Sequence, residues 1–248
     1  MFQIKICGLT TPEDALAAIE AGADALGLNF HPASPRYVTP SQAAQIVQKV
    51  RHAGWGGTVV AVVVQDETTL VADPQLACID AWQLHGDQSP ENLAHFQKIL
   101  AHRRAQPSPA TSSNAGRPRW RIIRALAWRR DEPSFLFDYL QACQRMGALP
   151  DALLVDAFHS GLFGGTGRTL DWDALAAQRG VLGGLPLILA GGLTPKNVAM
   201  AIQRVRPAAV DVASGVESSP GRKDPAKLRA FVAAARNAFQ ATQDAKRL

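Results

Sequence analysis

The sequence predicts a closed (β/α)₈ barrel, and three observations predict it. Short β-branched runs alternate with longer Ala/Leu-rich stretches eight times along the chain, the spacing of repeated strand–helix units. The run Thr58-Val59-Val60-Ala61-Val62-Val63-Val64 is apolar on both faces, as a parallel strand covered by helices must be. No Gly-x-Gly-x-x-Gly follows the first run, which disfavours an open dinucleotide-binding sheet.

Strands are expected at 2–6, 25–30, 58–64, 81–85, 121–127, 152–156, 185–189 and 209–213. Helices are expected to begin near Pro12, Pro40, Glu67, Pro90, Pro133, Asp171, Pro195 and Pro225. Five of these prolines follow Thr, Ser or Asp, the pattern of a capped helix with proline in its first turn. Residues 103–119 break the rhythm with three prolines, three serines and no periodicity. They read as a flexible insertion between the fourth helix and fifth strand, on the stability face of the barrel and without a catalytic role. The polar tail after Phe239 is expected to fray. The expected organisation is one barrel domain over residues 1–248.

Composition excludes several classes. With 47% hydrophobic and 19% charged residues, the 248-residue chain is too apolar to be disordered. Its 20 glycines and 16 prolines fall below the low-complexity range. The uncharged run at 180–193 is too short to cross a bilayer and is broken by glycines and Pro186. Met1-Phe2-Gln3-Ile4-Lys5 reads straight into a strand, with no leader pattern. Cys7, Cys78 and Cys143 form neither a disulfide framework nor a zinc knuckle, so a reducing cytoplasm is the expected setting. A net charge of +5 would attract anions, from phosphate esters to nucleic acid.

In a barrel, the carboxyl ends of the strands and the loops after them converge on one mouth. That filter selects Cys7, Arg36, His85, Asp87, Asp156, Gly191, Gly192, Ser214 and Gly215. Glycines in the loops after strands 7 and 8 let backbone N–H groups approach an anion, where barrels commonly hold phosphate, although tight turns would also use them. Cys7 is a candidate general base, yet a lone cysteine at a strand end is more often a small buried hydrophobe. Asp156 closes an apolar strand and must be solvated, paired or functional, and residue type does not choose among these. Gly164-Gly165-Thr166-Gly167 reads as a lid or an irregular connection. His31, His85 and His159 with Asp87 and Asp156 lack tight metal-ligand spacing. The basic run from Arg117 to Arg130 is patterned like a nucleic-acid patch but overlaps a strand that must pack, so a solvated rim is the expectation.

Taken together, the motifs resemble the phosphoribosylanthranilate isomerases of tryptophan biosynthesis. The matching stretches are Lys5-Ile6-Cys7-Gly8-Leu9-Thr10, Ser34-Pro35-Arg36-Tyr37-Val38 and Gln83-Leu84-His85-Gly86. Asp156, Gly164-Gly165-Thr166-Gly167, Asp171-Trp172, Ala190-Gly191-Gly192-Leu193 and Asp211 to Glu217 follow in order. The insertion at 103–119 is longer than the family pattern, and Leu170 stands where an aromatic commonly precedes Asp-Trp.

The resemblance implies an Amadori rearrangement of N-(5-phosphoribosyl)anthranilate, with Asp156 as general acid and Cys7 as general base. It further implies that Arg36 grips the anthranilate carboxylate, with His85, Gly165, Gly167, Gly191, Gly192, Ser214 and Gly215 binding substrate. No cofactor or metal is expected. The expected partner is a small phosphorylated substrate rather than nucleic acid or membrane, for a monomer or homodimer. A metal-dependent pentose-phosphate epimerase and a basic RNA-binding protein are the alternatives.

Overall fold

Eight parallel strands close on themselves in chain order. They are β1 (Ile4–Cys7), β2 (Ala25–Asn29), β3 (Thr58–Val63), β4 (Ala81–Leu84), β5 (Arg121–Ala127), β6 (Ala152–Asp156), β7 (Leu187–Ala190) and β8 (Ala209–Val212), and β8 pairs with β1 to seal the ring. The computed structural model describes residues 2–64, 68–105, 121–128, 132, 134–156 and 172–245. Helices follow the strands as α1 (Pro12–Glu20), α2 (Pro40–His52), α3 (Thr68–Ala72), α4 (Pro90–Ala105), α5 (Phe135–Arg145), α6 (Trp172–Ala177), α7 (Val198–Val205) and α8 (Pro225–Asp244). A small antiparallel hairpin, β9 (Glu217–Ser219) with β10 (Arg222–Lys223), sits between β8 and α8 and is absent from the sequence expectations.

The proline starts have the expected chemistry at four helices, with Ser89 ahead of Pro90 accepting from Asn92 N. Thr11 accepts from Asp14 N, Thr39 forms a reciprocal capping box with Gln42, and Asp224 accepts from Ala226 N and Lys227 N. The exception is Pro195. Asn197 accepts from Thr194 N at 2.7 Å and donates to Gly192 O at 2.9 Å, closing a turn that delays α7 to Val198. Strand β7 likewise begins two residues late, because Pro186 has no N–H for the ladder. The described part of the tail is helical rather than frayed: the Phe239 side chain is buried, and α8 continues to Asp244, with Gln240 bonded to Asp244, while 246–248 lie outside the described residues. Arg103–Ala105 belong to α4 rather than to the irregular segment, and the rest of the expected insertion lies outside the described residues.

Alternation along the strands separates two cores. Outward residues such as Ile4, Ile6, Leu26, Leu28 and Val63 pack under the helices. Inward residues fill the barrel, mostly with alanine plus Val60, Ile123, Leu154 and Ile188, and Phe2 joins them below β1. Near the carboxyl ends this inner filling gives way to buried polar side chains, among them Lys5, Gln83 and Asp211. The barrel is therefore plugged with hydrocarbon below and polar above.

Arg124 corrects the expectation of a solvated basic rim. Two steps from the outward-facing Ile122, its side chain lies in the helix layer and is 1% exposed. Its guanidinium donates to Leu84 O at 3.0 Å, Gly86 O at 2.7 Å, Gln88 O at 2.9 Å, Ala125 O and Tyr139 Oη. It fastens the loop after β4 to β5 and α5, which satisfies a buried cation with carbonyl dipoles.

Candidate active site

The loops after β7 and β8 enclose a pocket of about 210 Å³, lined by Asp156, Ala190 to Leu193 and Asp211 to Gly215. Gly191 and Gly192 adopt φ of 86° and 62°, a conformation other residues rarely take. A Cβ on Gly215 would collide with Leu193 O, so only glycine lets the two loops meet backbone to backbone. Such a cleft of approachable backbone suits an anion. A larger opening of about 480 Å³ lies at the amino-terminal end, lined by Phe2, Gln3, Asp24, Thr58, Arg121 and Arg236. None of the expected site residues that are described lines it.

Cys7 ends β1, three strands around the ring from Asp156 at the end of β6. Lys5, two residues earlier on the same inward face, is fully buried and bonds Asp211 Oδ1 across the β1–β8 seam at 2.9 Å. Gly27 on β2 leaves the space both need: a Cβ there would sit 2.7 Å from Cys7 Sγ and 3.0 Å from Lys5 Nζ. Burial pushes the Cys7 thiol up, Lys5 pulls it back and Asp211 pushes it up again, leaving it above its ordinary value. For Lys5, burial is outweighed by Asp211 and Cys7, and the ammonium is held above its usual value.

Arg36 lies in the loop after β2, its stem over Gly8, where a Cβ would collide with Arg36 Cδ. Its Nε and Nη2 donate to Glu217 Oε1 and Oε2, each at 2.7 Å, a side-on fork. Lys223 of β10 donates to Glu217 Oε1 at 2.9 Å, Cys7 O at 2.7 Å and Ala213 O at 3.1 Å. Burial raises the Glu217 carboxyl, but the bonds and charges of Arg36 and Lys223 dominate and hold it below the ordinary range. The fork leaves the Nη1 edge of Arg36 for a second carboxylate. His85, just past β4, is half-buried; burial lowers it against the pull of Asp156 and Asp211, so the imidazole is neutral at pH 7.

Five expected site residues, Asp156, Gly191, Gly192, Ser214 and Gly215, share the one pocket. Cys7, Arg36 and His85 do not line it, but His85 interacts electrostatically with Asp156 and Asp211 at its border and Cys7 with Asp211, while Arg36 acts on Cys7. Gly165 and Gly167 lie outside the described residues. Among the described residues no three His, Cys, Asp or Glu side chains group to hold a metal. Sequence reasoning missed Lys5, Gly27, Asp211, Glu217 and Lys223. Strand alternation could have found Lys5, since it shares a face with Cys7.

Comparison with known proteins addresses the same chemistry. A family model described as N-(5'phosphoribosyl)anthranilate (PRA) isomerase matches residues 4–118 and 119–234. The N-(5'-phosphoribosyl)anthranilate isomerase of Geobacter sulfurreducens is 42% identical over 94% of this chain and 97% of its own length. The crystal structure of phosphoribosyl anthranilate isomerase from Thermotoga maritima matches with TM-score 0.72 and 31% identity, over 96% of this chain and 100% of that one. Another structure, of such an isomerase in complex with reduced 1-(o-carboxyphenylamino)-1-deoxyribulose 5-phosphate, matches with TM-score 0.70 and 30% identity, over 96% and 100%. With the family model matched over residues 4–118 and 119–234 and a 42% identical relative covering nearly the whole length, this chain belongs to the N-(5'-phosphoribosyl)anthranilate isomerase family.

Proposed function

We propose that this chain converts N-(5'-phosphoribosyl)anthranilate into 1-(2-carboxyphenylamino)-1-deoxyribulose 5-phosphate in tryptophan biosynthesis, by general acid–base catalysis. The observation that carries the reading is that Asp156 shares a pocket with the glycine loops after β7 and β8. A sugar anchored there by its phosphate would turn its ring toward the carboxyl group.

Asp156 protonates the ribose ring oxygen. The C1–O bond then breaks, and the nitrogen lone pair forms a C1=N Schiff base. Cys7, from the other wall, removes the C2 proton; the C–H electrons form C1=C2 and the C=N pair returns to nitrogen. The enolamine tautomerises as C1 takes a proton and the C2 hydroxyl becomes a carbonyl. Arg36, braced by Glu217, receives the anthranilate carboxylate on its free edge. Neutral His85 offers one donor and one acceptor to the substrate. Gly165 and Gly167 belong to the same proposed binding set. A cytoplasmic monomer or homodimer fits this reading; the cysteines are unbridged, and no helix among the described residues is long and apolar enough to cross a membrane.

The test is loss of phosphoribosylanthranilate fluorescence on adding the purified protein after chelation. Turnover that survives chelation is expected. A folded protein with no turnover would sink the reading, and activity restored only by metal would favour a metal-dependent isomerase or epimerase.

A further inference from the structure

We propose that Lys5 is a positioning residue that serves as the counter-ion of the Cys7 thiolate, a buried ammonium anchored by Asp211 and set across Gly27 from the sulfur. This rests on the reading of Cys7 as the base. Among the described residues, the charged side chains that bear on Cys7 include Lys5 from β1, Asp211 from β8, Lys223 from β10 and Arg36 from the loop after β2. Gly27, the β2 neighbour, contributes no charge and provides only room.

Donor capacity separates the three cations. Lys223 has three ammonium protons, and its three acceptors are Glu217 Oε1, Cys7 O and Ala213 O. Arg36 commits its Nε and Nη2 to Glu217. Lys5 bonds Asp211 Oδ1 at 2.9 Å and has further protons to give, and the charge of Cys7 acts on its ammonium as well. A cation at 0% exposure in the barrel is costly unless it is paired. Asp211 holds one side of it, and the bare Gly27 leaves the sulfur and the ammonium room on the same patch of the inner wall. The packing makes sense if two anions, one permanent and one formed in turnover, share one ammonium. Asp211 holds Lys5 in place, and Lys5 offsets the cost of forming a thiolate where water is scarce.

The experiment follows the alkylation of Cys7 by iodoacetamide against pH, quantified on the Cys7 peptide by mass spectrometry so that Cys78 and Cys143 do not contribute. Lys5→Met should slow alkylation at pH 8 about tenfold and move its midpoint to higher pH. The Lys5→Met/Asp211→Asn double variant leaves no unpaired buried carboxylate, guarding against misfolding, and should shift the midpoint in the same direction by less. A midpoint that stays put or falls in the double variant, with native circular dichroism, would overturn the proposal. The rising, base-limited limb of kcat/KM should move with the alkylation midpoint. If alkylation shifts but turnover does not, Cys7 is not the base, and the fault lies with the assigned mechanism rather than with the pairing.

Discussion

The two ends of the barrel use carboxylates in opposite ways. At the amino end, Asp24 accepts from Gln3 N at 3.1 Å and Ile4 N at 2.9 Å, Asp80 from Val59 N at 2.7 Å, and Asp151 from Ile122 N at 2.8 Å. Each stands just before an even-numbered strand and accepts from a backbone N–H in the first two residues of the odd-numbered strand preceding it. Half-exposed arginines, Arg236 and Arg51, complete two of them. At the mouth the carboxylates face cations instead: Asp211 meets Lys5, and Glu217 meets Arg36 and Lys223, with little of these carboxylates exposed. Backbone caps near water complete the ladder cheaply, whereas buried ion pairs cost desolvation and gain less stability for it. The amino end serves the fold, and the mouth spends stability on placing charge.

The sharpest way to break this comparison is at the acid and base. Asp156→Asn has no proton to donate and Cys7→Ser no thiol to titrate, so each should lower kcat about 10²–10⁴-fold while the melting temperature stays nearly unchanged. Near-normal turnover in either variant would refute the assignment. Because burial holds the Cys7 thiol above its ordinary value, the deprotonated base becomes more abundant as pH rises. The base-limited limb of kcat/KM should therefore climb on the alkaline side of neutral, and a limb flat above pH 7 would contradict it.

Arg36→Met should act on binding. Loss of a charge-assisted contact removes roughly 2–3 kcal/mol, seen mainly as a raised KM. An unchanged KM would take Arg36 out of the site. At the opposite end, Asp80→Ala strips the Val59 N–H and Arg51 of their acceptor, and should cost about 1–3 kcal/mol in urea unfolding with kcat intact. If kcat fell instead, the division of labour between the ends would be wrong. The smallest effect is expected from replacing residues 106–116 with a Gly/Ser linker. The flanking elements, the end of α4 and the start of β5, both lie at the amino end, so turnover should not change. A large loss of kcat in a folded variant would place that segment in the chemistry.

What the sequence by itself determined rests on short-range physics. Two-sided apolar runs, Thr-Pro and Asp-Pro starts at Pro12, Pro40 and Pro225, and the positive-φ glycines at 191 and 192 each act within a few residues of themselves. They made the barrel and the ends of its strands legible, and with them the positions of Cys7 and Asp156. Pro195 misled because a side chain, Asn197, reached back to the glycine loop and outcompeted the helix start. Ring closure decided the rest. Lys5 meets Asp211 across 206 residues, Arg36 meets Glu217 across 181, and Lys223 reaches Cys7 O across 216. No local spacing encodes such pairs, because their energy exists only when β8 lies against β1 and the hairpin β9–β10 folds back over the seam. Arg124 was misread for the same reason: as sequence it looks like a surface charge, and only the packing of α5 against β5 and the β4 loop turns it into a buried clasp.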